Sequence, residues 1–284
     1  MADRWARRRF LKLWAALISS AMCVPRIQAQ RLPPEDSPEP PPPHRTLKPR
    51  RPPQHARVPI LMYHYISTPP PHSDRLRRNL SVPPEEFEQQ LNYLRDTGYT
   101  TISLYDLFAH LKDGAPLPAK PVVLTFDDGY RDAYTEAFPR LKARGMIATF
   151  FIVTDFINFK NPNHITWAMA REMAEAGMSI EPHSRTHPDL RNRSHSFLVW
   201  EILGPIEQIM HHAYAGRRPR FFCYPSGRYD DHVIRFLKSV EIWAALTTQP
   251  GLTHTLQNAY AWSRQRVFPG MSMRQFARLL GESA

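Results

Sequence analysis

The chain has 284 residues, of which 42% are hydrophobic, and a formal net charge of +11 at pH 7. That length fits one large domain or two small ones, and the hydrophobic share is enough for a globular core. Residues 58–284 carry 25 basic and 22 acidic side chains, a net charge of only +3. Since nucleic-acid binding needs a concentrated basic face, we expect no nucleic-acid partner.

The first 29 residues have the pattern of an export signal. A basic cluster precedes an apolar stretch too short to span a bilayer comfortably, and residues 27–29 (IQA) offer a cleavage site. The run RRRFLK at 7–12 resembles the twin-arginine motif. Such a motif is a signal that an export receptor reads, rather than a membrane anchor. We expect a periplasmic or extracellular protein, with no stable membrane insertion after cleavage. Cleavage would remove Cys23 and leave Cys223 alone, which precludes an intramolecular disulfide.

Residues 30–57 contain ten prolines. Such a composition favours extended polyproline conformations and forms no packed core, so we assign this segment as a disordered linker. An SH3-type ligand is the alternative interpretation. Residues 58–284 are then expected to form one domain.

From residue 58 onward, short apolar runs alternate with amphipathic segments. Strands are predicted at residues 58–64, 121–126, 146–153, 179–181, 220–225, 244–247 and 264–267. Helices are predicted at residues 81–98, 104–112, 131–144, 166–176, 194–214 and 230–240, with a last one from residue 272. Strands that alternate with helices indicate an α/β fold with a parallel sheet, either open or closed into a barrel.

The polar side chains that could carry chemistry lie mostly at the ends of predicted strands. In a parallel barrel, reactive residues gather at the carboxyl ends of the strands. We therefore expect one site, formed by strand-end residues together with an arginine of the last strand. These residues are His64, Asp127, Asp128, His183, His187, Ser226 and Arg264.

One carboxylate and two imidazoles are a three-ligand set for a hydrolytic divalent metal, with room left for water and substrate. His183 and His187 are four residues apart, so both can point at a common centre. The neighbouring acid can then take a proton from water as general base. This reasoning assigns Asp128 as a ligand and Asp127 as the base. Taken singly, the histidine pair could arise by chance, and adjacent aspartates often begin a helix.

The motifs TFDDG (125–129) and HSRTH (183–187) resemble the first two motifs of the polysaccharide deacetylases, the NodB-homology domain or carbohydrate esterase family 4. The flanking sequences agree, and the resemblance covers about residues 58–280. It implies a distorted (β/α)7 barrel and metal-dependent removal of N- or O-acetyl groups from glycans. It also implies a transition metal, zinc first and cobalt or nickel as alternatives, on the ligands Asp128, His183 and His187, with Asp127 as the base.

The third motif of that family, R-x-P-Y-G, is altered in this chain. The stretch FCYPSG (222–227) has Cys223 where the arginine would stand and Ser226 where the tyrosine would. The resemblance implies that the backbone amide of Ser226 still supplies the oxyanion donor. Asp127 then needs another partner, and Arg264 is the candidate, with a surface arginine as the alternative.

The late L-x-H motif of the family is absent, because His254 lies in GLTHTLQ without a predicted strand. Instead, VPILMYHYIS (58–67) resembles the circularly permuted branch, which includes poly-N-acetylglucosamine deacetylases. The resemblance implies that His64 is the general acid. Tyr224 and Trp167 are assigned to substrate contact, with a plain core tryptophan as the alternative for Trp167.

We therefore expect a monomeric, metal-dependent hydrolase that removes N-acetyl groups from a polysaccharide containing N-acetylglucosamine. Two alternatives stay open. One is a hydrolase of other non-peptide carbon–nitrogen amide or O-acetyl ester bonds, and the other is a non-catalytic glycan-binding module. The loop at 67–79, rich in proline and arginine, is expected either to contact the glycan or to be disordered.

Overall fold

The computed structural model describes Pro53 and residues 55–282. The predicted signal at 1–29 and nearly all of the predicted linker lie outside these residues. Ala56–Arg57, the last two residues assigned to the linker, form a strand that pairs antiparallel with Thr253–His254. Within the described range, no helix has the length and apolar character needed to cross a membrane.

Ten strands and ten α-helices are found in the described part of the chain. The strands are β1 Ala56–Arg57, β2 Ile60–Tyr63, β3 Thr100–Thr101, β4 Pro121–Phe126, β5 Thr149–Ile152, β6 Ser179–Pro182, β7 Phe221–Cys223, β8 Ala244–Leu246, β9 Thr253–His254 and β10 Gln265–Arg266. The helices are α1 Arg75–Asn79, α2 Pro84–Asp96, α3 Leu104–Asp113, α4 Phe138–Lys142, α5 Thr154–Asn158, α6 Trp167–Glu175, α7 His195–Leu198, α8 Gly204–His212, α9 Asp231–Ser239 and α10 Met273–Leu279.

The predicted parallel sheet is present. Strands β10, β2, β4, β5 and β6 pair in that order, all parallel, and β3 adds to β4. Strands β7 and β8 form a separate parallel pair. Between strands lie mostly helices, as in an α/β fold. Because Tyr63 pairs with Phe126, β2 and β4 end side by side, and the residues after them emerge together.

Side chains rather than backbone pairing connect β6 to β7. Glu181 in β6 is fully buried, and its Oε2 accepts hydrogen bonds from the amides of Arg220 (3.0 Å) and Phe221 (2.9 Å). Its Oε1 accepts one from the Tyr105 hydroxyl at 2.9 Å. On the far side of β8, Leu246 forms a parallel bridge with Trp262. A (β/α)7 barrel with backbone pairing all the way round stays a prediction.

Glu181→Gln is expected to make stability less dependent on pH. Burial raises the pKa of Glu181 to about 8 against the opposing effect of its hydrogen bonds, from an ordinary value of 4.5. Its contribution to stability is therefore complete below about pH 4.5 and is lost as the pH rises to about 8. Urea unfolding of the wild type should show this decline, whereas Glu181→Gln should not. Glu175→Gln, at an exposed position of α6, is the control, and parallel curves for all three proteins would contradict the pKa shift.

Several elements depart from the pattern expected from the sequence. The predicted helices at 131–144 and 194–214 each contain a five-residue π segment, Ala133–Ala137 and Val199–Leu203. The loop at 67–79 ends in helix α1, whose first turn is capped by the Asp74 carboxylate, so this part is ordered. Helices α1 and α5 and strand β3 were not predicted, because runs of two to five residues carry too few periods to be recognised.

Candidate active site

Two neighbouring strands deliver the histidine and the two aspartates to the same edge of the sheet. His64 follows β2, and Asp127 and Asp128 follow β4. The amide of Asp127 donates to the carbonyl of Tyr63 at 3.0 Å, which continues the ladder past the strand ends. Both aspartates are buried, with 2% and 8% of their surface exposed. Buried carboxylates of this kind need nearby positive charge or hydrogen-bond donors.

The three predicted metal ligands lie together. Asp128 Oδ1 is 3.3 Å from His183 Nε2 and 3.5 Å from His187 Nε2. One ligand atom from each of the three side chains lies within 4.8 Å of the other two. His183 Nδ1 is 2.7 Å from the carbonyl oxygen of Cys223, so Nδ1 carries the proton and donates it. That leaves the Nε2 lone pair free for a metal, which is the usual arrangement of ligating histidines, so the residues fit a divalent cation.

The backbone around these ligands is held in an uncommon conformation. Asp128, Ser184 and His187 have φ angles of 71°, 65° and 65°, in the left-handed region that non-glycine residues rarely adopt. The amide of His187 donates to Ser184 Oγ at 2.9 Å, which closes a tight turn between the two histidines. Such strain persists where the surroundings enforce it, and it clusters at functional sites.

Asp127 is held by a fully buried arginine. Arg264 Nη1 donates to Oδ1 and Nη2 to Oδ2, both at 2.7 Å, in a bidentate pair. The same guanidinium donates to Thr125 Oγ1 (3.1 Å) and the carbonyl of Thr247 (2.9 Å). Burial alone would raise the pKa of Asp127, but the charge and hydrogen bonds of Arg264 outweigh it and lower the pKa to about 2. Asp127 is therefore ionised at neutral pH.

Cys223 belongs to a second group of possible ligands, which suits a metal less well. Asp127, His183 and Cys223 also offer ligand atoms within 4.8 Å of one another. However, Arg264 Nη2 lies 3.0 Å from Cys223 Sγ, so a permanent positive charge already occupies this group. Burial also raises the pKa of the Cys223 thiol, which keeps it in its poorly ligating protonated form. Of the two groups, Asp128, His183 and His187 are therefore the better fit for a divalent cation.

His64 lies beside Asp127, with Nε2 3.9 Å from Oδ2. Its side chain is 12% exposed, so it reaches the surface of the site. Burial lowers the pKa of His64, and the two nearby carboxylates oppose that effect. An imidazole with this position can exchange protons with a group bound over Asp127.

Comparisons with known proteins identify the family of this chain. The family model described as polysaccharide deacetylase matches residues 114–245. YxkH of Bacillus subtilis, which carries the name of a polysaccharide deacetylase, is 34% identical over 224 residues, 78% of this chain and 75% of that protein. The chain belongs to the polysaccharide deacetylase family. It is accordingly an enzyme of the deacetylase class, rather than a non-catalytic glycan-binding module.

Two further relatives agree with this family. A poly-beta-1,6-N-acetyl-D-glucosamine N-deacetylase of Staphylococcus epidermidis is 27% identical over 208 residues, 66% of this chain and 71% of that protein. The solved structure of the Streptococcus pyogenes deacetylase PplD, in complex with acetate, superposes with a TM-score of 0.73 at 29% identity. That similarity covers 79% of this chain and 98% of PplD.

Ser226 of the deacetylase lies at an exposed turn directly after β7. Its φ angle of 54° is again left-handed, within the short 3₁₀ turn Pro225–Gly227. The hydrogen bonds found among the described residues do not use the Ser226 amide. An amide free of internal partners is available to a ligand, as the prediction for this residue requires.

The structure does not bring the side chain of Tyr224 or Trp167 into contact with the aspartates and histidines of the candidate site. Tyr224 is fully buried, its ring stacks on Tyr229, and its hydroxyl donates to the carbonyl of Tyr260 at 3.0 Å. Its side chain is therefore part of the hydrophobic core rather than a substrate contact. The indole Nε1 of Trp167 donates to Asn158 Oδ1 at 3.0 Å, which braces α6 against α5.

His254, rejected as the acid, does lie in a strand. It is in β9, contrary to expectation, but β9 pairs only with β1. The ring is buried, and its Nε2 is 2.9 Å from the Val58 carbonyl oxygen. This histidine therefore supports the fold just before the start of β2, whereas the candidate site lies past the end of that strand.

Two buried acids near the turn between His183 and His187 were not predicted from the sequence. Asp155 begins α5 and bonds to Arg185 Nε through both carboxylate oxygens, at 3.1 and 3.2 Å. It follows the strand predicted at 146–153, so the strand-end rule could have found it. Glu201 lies inside a helix, and nothing in its local sequence distinguishes it from an exposed glutamate.

Proposed function

We propose that this deacetylase removes N-acetyl groups from a polysaccharide containing N-acetylglucosamine, by metal-assisted hydrolysis. The observation that carries the proposal is the convergence of Asp128, His183 and His187 next to an ionised aspartate, Asp127. The name of the Staphylococcus epidermidis relative supports the choice of glycan. Hydrolysis of other non-peptide amides or of O-acetyl esters is the alternative within the same chemistry.

A divalent cation on Asp128, His183 and His187 would polarise the acetyl carbonyl and lower the pKa of a bound water. The base in this proposal is Asp127, whose carboxylate takes the proton of the attacking water. Arg264 keeps that carboxylate ionised and fixed in orientation through two hydrogen bonds. The nitrogen-rich ligand set suits zinc, and cobalt and nickel are the alternatives.

The leaving amine must receive a proton, because an amide anion is a very poor leaving group. Asp127 passes the proton taken from water to His64, whose Nε2 lies 3.9 Å from Asp127 Oδ2, and His64 gives it to the amine nitrogen as the carbon–nitrogen bond breaks. The exposed Ser226 amide donates a hydrogen bond to the developing oxyanion. The proposed reaction then has a base, an acid and an oxyanion donor.

The export signal at 1–29, a linker from residue 30 and a catalytic domain that begins with β1 at Ala56 complete the proposal. The polymer substrate lies outside the cytoplasm, so export to the periplasm or the cell exterior would bring enzyme and substrate together. We further propose that the enzyme acts as a monomer, with no nucleic-acid partner.

Metal removal is expected to abolish acetate release from N-acetylglucosamine oligomers. The full-length protein would be stripped with a chelator, assayed, and then reloaded with zinc, cobalt or nickel. At least one of these ions should restore release in the wild type and in the exposed control Asp96→Asn, but not in Asp128→Asn. Full activity of the stripped protein, with its metal content verified as negligible, would contradict metal assistance.

A further inference from the structure

The loop between the two histidines is hydrogen-bonded to a buried glutamate. Glu201 has no exposed surface. Its Oε2 accepts hydrogen bonds from the backbone amides of Arg185 and Thr186, both at 3.0 Å. Its Oε1 accepts one from the Thr186 hydroxyl at 2.6 Å. All three donors belong to the two residues in the middle of the turn between His183 and His187.

Glu201 reaches this turn from an irregular part of its helix. It lies in the π segment Val199–Leu203, where the extra residue per turn changes the direction of the side chains. Such segments are often found at functional sites. On the other side of the turn, the amide of Asp155 donates to the carbonyl of Arg185 at 3.0 Å, and its carboxylate binds the Arg185 guanidinium. The turn is thus held by hydrogen bonds to α5 on one side and to the π segment on the other.

The hydrogen bonds of Glu201 account for the conformation of the turn. Ser184 and His187 have left-handed φ angles of 65°, which are unfavourable unless other contacts enforce them. The amides of Arg185 and Thr186 both donate to the buried Glu201 carboxylate, although these two residues are themselves half-buried and exposed. Removal of Glu201 would take away the contacts that hold the left-handed residues on either side, so the turn could relax towards a different backbone conformation.

We propose that Glu201 is a positioning residue for the metal centre, which holds the turn between His183 and His187 so that both imidazoles face Asp128. The inference rests on the proposed function, because it presupposes that these three residues bind a metal. Glu201 itself touches neither metal nor substrate. It acts through two backbone amides and one hydroxyl, in the way that residues behind ligands commonly tune metal sites.

The test measures metal binding directly. Full-length metal-free proteins would be titrated with zinc against a chromophoric chelator, and the visible absorption of the cobalt-loaded proteins would report ligand geometry. Glu201→Ala is expected to weaken zinc binding by ~10–100-fold per folded molecule and to change the cobalt spectrum. Glu201→Gln should recover most of the affinity, because an amide oxygen can accept from the two backbone amides. Glu207→Ala, an exposed glutamate of α8, is the matched control.

The zinc affinity and the cobalt spectrum of the variants either support or overturn the positioning role of Glu201. An unchanged zinc affinity and cobalt spectrum in Glu201→Ala, with only a lower melting temperature, would overturn the inference and leave a purely structural role. If Glu201→Ala does not fold, Thr186→Val takes its place, because it removes only the hydroxyl bond to Oε1. Weaker zinc binding and an altered cobalt spectrum would support the inference there, and wild-type values would overturn it.

The same titrations separate this inference from the proposed function. Wild-type protein that binds none of the ions would overturn both. Wild-type protein that binds zinc, with binding lost in Asp128→Asn and unchanged in Glu201→Ala, would overturn the role of Glu201 alone.

Discussion

Asp127→Asn is expected to lower kcat for acetate release by ~10²–10⁴-fold, because the substituted amide cannot accept the proton of the attacking water. Zinc affinity should stay close to that of the wild type, because Asp127 is outside the proposed ligand set of Asp128, His183 and His187. The measurement is steady-state deacetylation of N-acetylglucosamine oligomers by zinc-loaded protein, together with the zinc titration. A loss of activity below tenfold would contradict the assignment of Asp127 as base.

A second substrate distinguishes the base from the acid. An aryl acetate such as p-nitrophenyl acetate releases a stable phenolate, which leaves without being protonated. His64→Ala should therefore lose activity on the N-acetyl oligomers and retain most of it on the aryl ester. Asp127→Asn should lose both activities, since both reactions require an activated water. Equal losses on the two substrates in His64→Ala would move the general acid elsewhere.

Asp127→Asn also disturbs a buried ion pair, so stability needs its own control. Arg264 has almost no exposed surface, and the neutral partner would leave its charge largely uncompensated. Assays belong at a temperature where circular dichroism shows the variant folded. Asp96→Asn, on an exposed aspartate, controls for the loss of one negative charge.

The sequence was sufficient for the parts of the molecule that repeat a regular pattern. The apolar run at 121–126 is a strand residue for residue, and the parallel α/β arrangement follows from the alternation of strands and helices. Asp128, His183 and His187 were predicted to converge because parallel strands end at one edge. Strand order and register bring these residues to one edge of the sheet, and the turn between the two histidines then orients the imidazoles.

Contacts that depend on the path of a side chain were not predictable in this way. Tyr224 is next to Cys223 in a strand-end motif, yet the strand turns its ring into the core. Glu201 points at the histidine turn only because a π segment interrupts its helix, and no period of the sequence marks that interruption. The connection of β6 to β7 by the Glu181 carboxylate likewise replaces a backbone ladder that the strand pattern would predict.

Arg264 was predictable in part. The sequence placed it in the last strand, but β10 begins one residue later, at Gln265, and the partner of Arg264 lies 137 residues away in the chain. The structure shows which residue stands beside Asp127 when the third motif has no arginine. Cys223 Sγ is 3.5 Å from Asp127 Oδ2 and 3.0 Å from Arg264 Nη2, so an arginine that directly precedes β10 lies beside the cysteine. The guanidinium that the family motif would supply from position 223 comes here from position 264.

Arg264→Met is therefore expected to lower both stability and activity. Removing one partner of a buried ion pair costs ~3–5 kcal/mol of unfolding free energy. The pair stabilises the fold fully above about pH 3.8, and this contribution is lost as the pH falls to about 2. Without the guanidinium, burial raises the pKa of Asp127, so the base is less ionised at neutral pH. The acid limb of the pH–kcat profile should move to higher pH, and Arg264→Lys should recover only part of the loss because lysine makes no bidentate pair.

Moving the arginine to position 223 tests whether activity needs only a cation beside Asp127 or needs one that comes from position 264. Cys223→Arg alone would place two guanidiniums around one carboxylate and should destabilise the fold. The double variant Cys223→Arg/Arg264→Met should be more stable than either single variant and should regain part of the activity, with the acid limb returned towards that of the wild type. Strict additivity of the two losses would contradict this exchange, because residues that share one partner must couple. Recovery would mean that the enzyme needs a cation at this oxygen pair, whichever strand supplies it.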